Sequence, residues 1–190
     1  MSNTKYILVV NQKGGVGKTT ISDEVAFALT RRGYNVAFQN LDNQGGCIHA
    51  SSIINEDTDY VVIDTPGAVN ADMRQWCKNA DVILIPCKPS MQDFPAFNRT
   101  RTIADEISSQ CAKPIPIGCV VNFFDARRKV DNEWVEFLKN AEYPVFGIIP
   151  EATVFTSAVA MQESVYDQKP KSKAAGAIEA LTDRIIKEAN

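Results

Sequence analysis

The sequence predicts an α/β fold, a doubly wound and mostly parallel sheet flanked by helices. Three observations predict it. Short runs rich in Val and Ile, apolar on both faces, recur along the chain, and strands of that kind belong in a parallel sheet covered on both sides. Longer segments with a helical repeat of apolar residues lie between them. A glycine-rich stretch, NQKGGVGKTT at 11–20, links the first run to the first helical segment, which is where such sheets place a ligand.

The elements follow in order. Residues 6–10 form the first strand. Residues 19–32 are a helix, with Ile21, Val25, Ala28 and Leu29 on one face and Gly33 at the stop. Strands follow at 36–41, 60–64 (YVVID) and 82–86 (VILIP). A helix at 94–110 has Asp93 in the N-cap position. Residues 115–121 (IPIGCVV) are a strand, 131–140 a helix and 145–149 the last strand. A helix at 172–188 carries Ile178, Leu181, Ile185 and Ile186 on one side. Trp76 and Trp134 fall on helices as packing residues, and KPKSK at 169–173 has a loop's composition.

The chain has 190 residues without repeats or a clear linker, so a single domain over 1–190 is expected. Its net charge of −3 argues against coating nucleic acid by bulk charge, although a local basic patch is compatible with it. Five scattered cysteines without a CxxC pair point to reduced thiols in a cytoplasmic protein. The N-terminal residues lack a signal-peptide pattern, and no apolar run has the length of a membrane span.

The chemistry is concentrated in the glycine-rich stretch. Gly14, Gly15, Val16 and Gly17 let backbone N–H groups approach phosphate oxygens, and the helix N-terminus adds a favourable dipole. Lys18 is placed to reach the β- and γ-phosphates, and the Thr19 hydroxyl to hold Mg²⁺. Thr20 continues the loop into the helix. Asp64, at the end of YVVID, is the position for a carboxylate that reaches Mg²⁺. Together these residues predict a P-loop NTPase fold that takes a nucleoside triphosphate and Mg²⁺. They leave the second lysine, Lys13, unexplained.

KGGVGKTT resembles the deviant Walker A motif, KGGxxK[ST], of the ParA/MinD ATPases. The resemblance extends to VVIDTPG at 61–67, to DVILIPCKPSMQDF at 81–94 and to the tail at 164–188. With little chain before the first strand, no N-terminal helix-turn-helix extension is expected, as in short plasmid-type ParA partition proteins such as ParF. The resemblance implies that Lys13 crosses to the nucleotide of a second subunit in an ATP-sandwich homodimer. It assigns Asp42 to the attacking water and the metal surroundings. It also implies that Asn122, Pro150 and Glu151, after the last two strands, meet the adenine. The partners it implies are a second copy of the chain, a ParB-type adaptor and non-specific DNA. For the DNA, the candidate residues are Arg127, Arg128 and Lys129, with a second run at Lys169, Lys171 and Lys173. The expected function is an ATPase that partitions a plasmid or other mobile element. Turnover is expected to be slow without a partner, and the ATP-bound form to associate with the nucleoid.

One segment departs from the family. Where DxDPQG is usual, the chain has Asn40-Leu41-Asp42-Asn43-Gln44-Gly45. Asp42 is retained, while the first acid and the proline are both Asn, which bears on the hydrolysis rate. Two alternatives remain on this fold. One is a MinD-like positioning ATPase that uses a membrane, against which the mixed charge and missing aromatics of 172–188 speak. The other is a nucleotide-dependent reductase or metabolic enzyme, with Cys87 and Cys119 as candidate cluster ligands.

Overall fold

The computed structural model describes residues 4–42, 46–67 and 72–190. Asn43, Gln44 and Gly45 of the departing segment lie outside these. Six parallel strands form one sheet: β1 (Lys5–Val9), β2 (Val36–Asn40), β3 (Tyr60–Asp64), β4 (Val82–Cys87), β5 (Ile117–Phe124) and β6 (Val145–Pro150), in the spatial order β2-β3-β1-β4-β5-β6. The helices are α1 (Lys18–Arg31), α2 (Asp72–Lys78), α3 (Phe94–Ser108), α4 (Lys129–Asn140), α5 (Thr153–Met161), α6 (Val165–Gln168) and α7 (Lys173–Ala189). The expected doubly wound sheet is present.

The period of two in β1 divides the core. Ile7 and Val9 point to one face, where they pack with Ile21, Val25 and Leu29 of α1 and Ile178, Leu181 and Ile185 of α7. Leu8 points to the other, with Phe97 of α3 and Trp134 and Leu138 of α4. Each fully buried Leu, Ile or Phe contributes about 1.5–3 kcal/mol to folding, so both faces of the sheet are held strongly. The C-terminal helix is committed to this packing: Ile178, Leu181 and Ile185 are fully buried or nearly so, with Ser172 capping it through a hydrogen bond from Ala175 N–H (3.0 Å). Among the described residues no helix is long and apolar enough to cross a membrane.

Four features differ from the sequence expectation. β5 runs to Phe124 rather than ending at 121, because a register shift against β6 between Val121 and Phe124 inserts one extra residue. Asn122 is therefore inside the strand. Pro150 likewise ends β6 instead of following it. Helix α5 has no amphipathic stripe to betray it, since only Ala158 of its nine residues is buried. Asp93 does occupy the N-cap position of α3, but its side chain makes no capping hydrogen bond. The carboxylate is engaged elsewhere.

Candidate nucleotide-binding site

The site is assembled at the C-terminal ends of β1, β3 and β4, where the sheet order reverses. Asn11, 1% exposed, organises the entry to the loop. Its Nδ2 donates to Pro86 O (2.7 Å) at the end of β4, and its Oδ1 accepts from Lys13 N–H (2.9 Å). Gln12 N–H donates to Thr100 Oγ1 on α3 (3.2 Å). The loop is thus tied to both neighbours before its glycines begin. Gly15 and Gly17 take positive φ values of 70° and 89°, the left-handed region that a side chain resists. At Gly17 space forbids a side chain as well: a Cβ would lie 2.1 Å from Asn122 Nδ2.

Lys18 is buried, and its Nζ donates to Lys13 O (3.3 Å) across the loop. Burial lowers its pKa, opposed by the nearby charges of Asp64 and Asp42. The Asp42 charge is thus felt at the phosphate-loop lysine. Its own N–H donates to Asn40 Oδ1 (3.0 Å), so the Asn in place of the first acid supports the backbone that carries Asp42.

Asp64 is fully buried behind the loop. Its carboxylate accepts from Thr19 Oγ1 (2.7 Å) and Ser22 Oγ (3.1 Å), both on α1. Burial raises its pKa to about 6 despite those two bonds and the Lys18 charge. A buried carboxylate still short of compensating charge, next to a hydroxyl, is a donor set that suits a hard divalent cation. The turn after Asp64 closes the back of the loop: Thr65 Oγ1 donates to Val9 O (2.8 Å), and a Cβ on Gly67 would stand 3.4 Å from Gly14 and 3.5 Å from Lys18 Nζ.

Lys13 behaves differently from Lys18. Its side chain is 48% exposed and points away from its own loop, with Nζ 3.4 Å from Asp93 Oδ1 at the start of α3. In cis its backbone serves the loop, the N–H donating to Asn11 Oδ1 and the carbonyl accepting from Lys18 Nζ. This ion pair is where the Asp93 carboxylate is used in place of helix capping.

The second half of the site is a cavity of about 440 Å³, lined by Thr20, Asn122, Phe123, Pro150, Glu151 and Phe155 among others. Asn122 is buried, and both ends of its amide are used internally: Nδ2 donates to Val16 O (3.0 Å) and Oδ1 accepts from Phe123 N–H (2.9 Å). It braces the phosphate loop from below. Phe123 adopts φ 58° at the bulge, a strained conformation for a bulky residue, and its ring lies beneath Lys88 Nζ (4.7 Å). Glu151 turns outward and pairs with Arg128 (2.7 Å).

The basic residues are partly neutralised. Arg127 pairs with Asp125 (2.8 Å) and holds that carboxyl well below the usual range through its hydrogen bonds. Lys129 pairs with Glu133 (3.3 Å). Arg127 and Arg128 meet Lys173, distant in sequence, around one groove of about 690 Å³. Lys171 and Lys173 are exposed. Cys87 and Cys119 are buried thiols, and burial pushes the Cys87 pKa up to about 12 and that of Cys119 higher still.

The structure brings the sequence-predicted glycines, Lys18, Thr19 and Asp64 together at the loop, while the Lys13 side chain is directed to Asp93. Asn11, Ser22 and Thr65 join them without belonging to a sequence motif. The signal for them is a polar residue just past a strand end, or one turn after Thr19 on the same face of α1.

Comparison with known proteins agrees with this fold. Over 97% of its length the chain is 27% identical to the Maintenance of carboxysome distribution protein A of Halothiobacillus neapolitanus, covering 98% of that protein. The fold superposes with a TM-score of 0.77 on the septum site-determining protein MinD of Pyrococcus horikoshii complexed with Mg-ADP, at 16% identity and 98% coverage of both chains. It also superposes with a TM-score of 0.76 on a Borrelia burgdorferi protein assigned to plasmid partition and bound to AMPPNP, at 15% identity, covering 97% of this chain and 99% of that one. The family model of the CobQ/CobB/MinD/ParA nucleotide binding domain matches residues 7–165. With that match over most of its length, and a KGGVGKTT loop backed by a buried Asp64, the chain belongs to the ParA/MinD group of positioning and partition ATPases.

Proposed function

We propose that the protein is an ATP- and Mg²⁺-dependent partition ATPase of a plasmid or other mobile element, switched by ATP-driven dimerisation. The observation that carries this reading is the orientation of Lys13. Its ammonium lies outside its own phosphate loop, half exposed, and held by a single ion pair to Asp93. A cation so placed can neutralise phosphate charge on a facing subunit, the service an arginine finger performs in other nucleotide hydrolases. Within one subunit, Lys18 and the loop N–H groups bind phosphate, Thr19 and Asp64 hold the metal, and Asp42 orients the attacking water. Bound Mg²⁺ supplies charge neutralisation between the phosphates. Phe123, Pro150 and Phe155 form the apolar surroundings of the adenine, with Thr20 and Glu151 at the rim.

In the same reading, the ATP dimer binds non-specific DNA through phosphate contacts, and a ParB-type adaptor stimulates otherwise slow hydrolysis. The dimer would then sit on the nucleoid in the cytoplasm. Lys169, Lys171 and Lys173 suit the DNA role better than Arg127, Arg128 and Lys129, whose charges are matched by Asp125, Glu151 and Glu133. Burial of the apolar face of α7 weighs against a membrane-bound positioning role for that helix. The burial of Cys87 and Cys119 in the apolar core weighs against a reductase.

The test is molar mass by light scattering with ADP and with a non-hydrolysable ATP analogue. The wild type is expected to double its mass with the analogue only, and Lys13→Ala to stay monomeric with both. A wild type that is monomeric with both nucleotides would remove the sandwich dimer and the role of Lys13 together.

A further inference from the structure

We propose that Asp23 is a positioning residue for hydrolysis: it clamps the 47–49 segment to helix α1 and so sets where Asp42 stands against Lys18. The inference rests on the hydrolytic role given to Asp42 above. No sequence motif points to Asp23, and the phosphate loop does not use it.

Asp23 is 1% exposed on the second turn of α1. Both of its oxygens are engaged by one short segment of chain. They accept from Cys47 Sγ (3.2 Å), Ile48 N–H (2.9 Å) and His49 N–H (3.0 Å), and Oδ1 lies 2.8 Å from His49 Nδ1. The His49 ring is wedged between Phe27 and Phe38, at centroid distances of 4.4 Å and 5.0 Å. Beyond it the chain turns back along β2, the edge strand. Ser52 N–H donates to Phe38 O (2.9 Å), Phe38 N–H to Ser52 Oγ (2.9 Å) and Asn40 N–H to Ser51 Oγ (2.9 Å).

Asp42 therefore leaves β2 on one side and is followed, within a few residues, by a segment locked onto both α1 and β2. The lock lies on the same helix that carries the metal-site groups. Thr19, Ser22 and Asp23 are spaced i, i+3 and i+4, so they share one helix face. The first two bond Asp64, and the third bonds the segment after Asp42. Asp23 also lies near enough to Asp64 for its charge to be felt there. One rigid helix thus gives the metal acid and the water-orienting acid a common frame. An error of about 1 Å in such a group costs roughly 100-fold in rate, so the clamp acts on turnover rather than on nucleotide binding.

The experiment compares wild type, Asp23→Asn and His49→Phe in steady-state ATP hydrolysis, in ADP affinity, and in hydrogen exchange at the amides of Asp42, Ile48 and His49. His49→Phe keeps a ring between Phe27 and Phe38 and removes one donor to Asp23. Asp23→Asn is expected to lower kcat by about tenfold while KM and ADP affinity stay within about twofold, and His49→Phe to lower kcat by about threefold. Exchange should quicken at all three amides in Asp23→Asn while those of β1 and β3 stay protected. An Asp23→Asn variant that keeps wild-type kcat, or loses affinity and kcat in equal measure, overturns the proposal and leaves the role of Asp42 standing. A wild type that turns over no ATP while Ile48 and His49 stay protected overturns the hydrolytic role of Asp42, and the function of the clamp with it.

Discussion

The two ends of the nucleotide crevice are built on opposite plans. At the phosphate end the side chains are polar, buried and bonded to one another. Asn11 holds Pro86 O and Lys13 N–H, Thr19 and Ser22 hold Asp64, and Lys18 reaches Lys13 O. At the other end, the proposed base end, Phe123, Pro150, Phe155 and Val159 line an apolar cavity. The difference teaches where precision is needed. Charge developing on phosphate is stabilised only by dipoles and ions already in place, so folding must fix them. A flat ring needs only a cover of about the right shape, so the base end can be assembled from less constrained parts.

The largest effect should come from the phosphate end. Asp64→Asn removes the charge that suits the metal and is expected to lower Mg²⁺-dependent turnover by about 100-fold or more. Steady-state ATPase assays across a Mg²⁺ titration check this. In the wild type, burial raises the Asp64 pKa to about 6, so mild acid protonates the carboxylate proposed to hold the metal. Mg²⁺ affinity should then weaken as pH falls through 6, because proton and metal compete for the carboxylate.

Next comes the tie between the two ends. Glu24, on the far side of α1 and 3% exposed, accepts the Val165 N–H just beyond helix α5 of the base end (3.0 Å to Oε1). Burial raises its pKa to about 7, with the nearby charges of Asp23 and Asp167 adding to the rise and that of Arg31 opposing it. The folded pKa lies above that of an unfolded glutamate, so the folded chain binds the extra proton between about pH 4.5 and 7. The contribution of this group to stability is full below that window and is lost as pH rises through it. Glu24→Gln keeps an acceptor for Val165 without the charge. It is expected to stabilise the fold by about 2 kcal/mol at pH 8, with the gain shrinking toward pH 5, in urea denaturation at both values.

The smallest effect belongs to the base end. Phe155→Ala should weaken ATP and ADP affinity by about tenfold and leave kcat at saturation unchanged. Fluorescent-nucleotide titration beside saturating turnover measures both. A loss of kcat comparable to that of Asp64→Asn would break the contrast between the two ends.

Much of the phosphate end is legible in the amino-acid sequence. Glycines with an adjacent Lys and Thr, between a strand and a helix, specify backbone N–H groups, a cation and a hydroxyl in a contiguous order, and Asp64 is marked by the apolar strand that ends in it. The parallel sheet is equally legible, because strands buried on both faces are apolar without alternation. The base end is not legible in the same way. Helix α5 buries little more than Ala158 and so carries no periodic signal, and Asn122 reaches Val16 only because β5 takes in an extra residue against β6. Lys13 with Asp93 and Asp23 with His49 are likewise pairs between distant segments. Local pattern determines which backbone a stretch adopts and which groups it offers. Which distant groups meet depends on how the helices pack on the sheet, a long-range arrangement that no local spacing encodes.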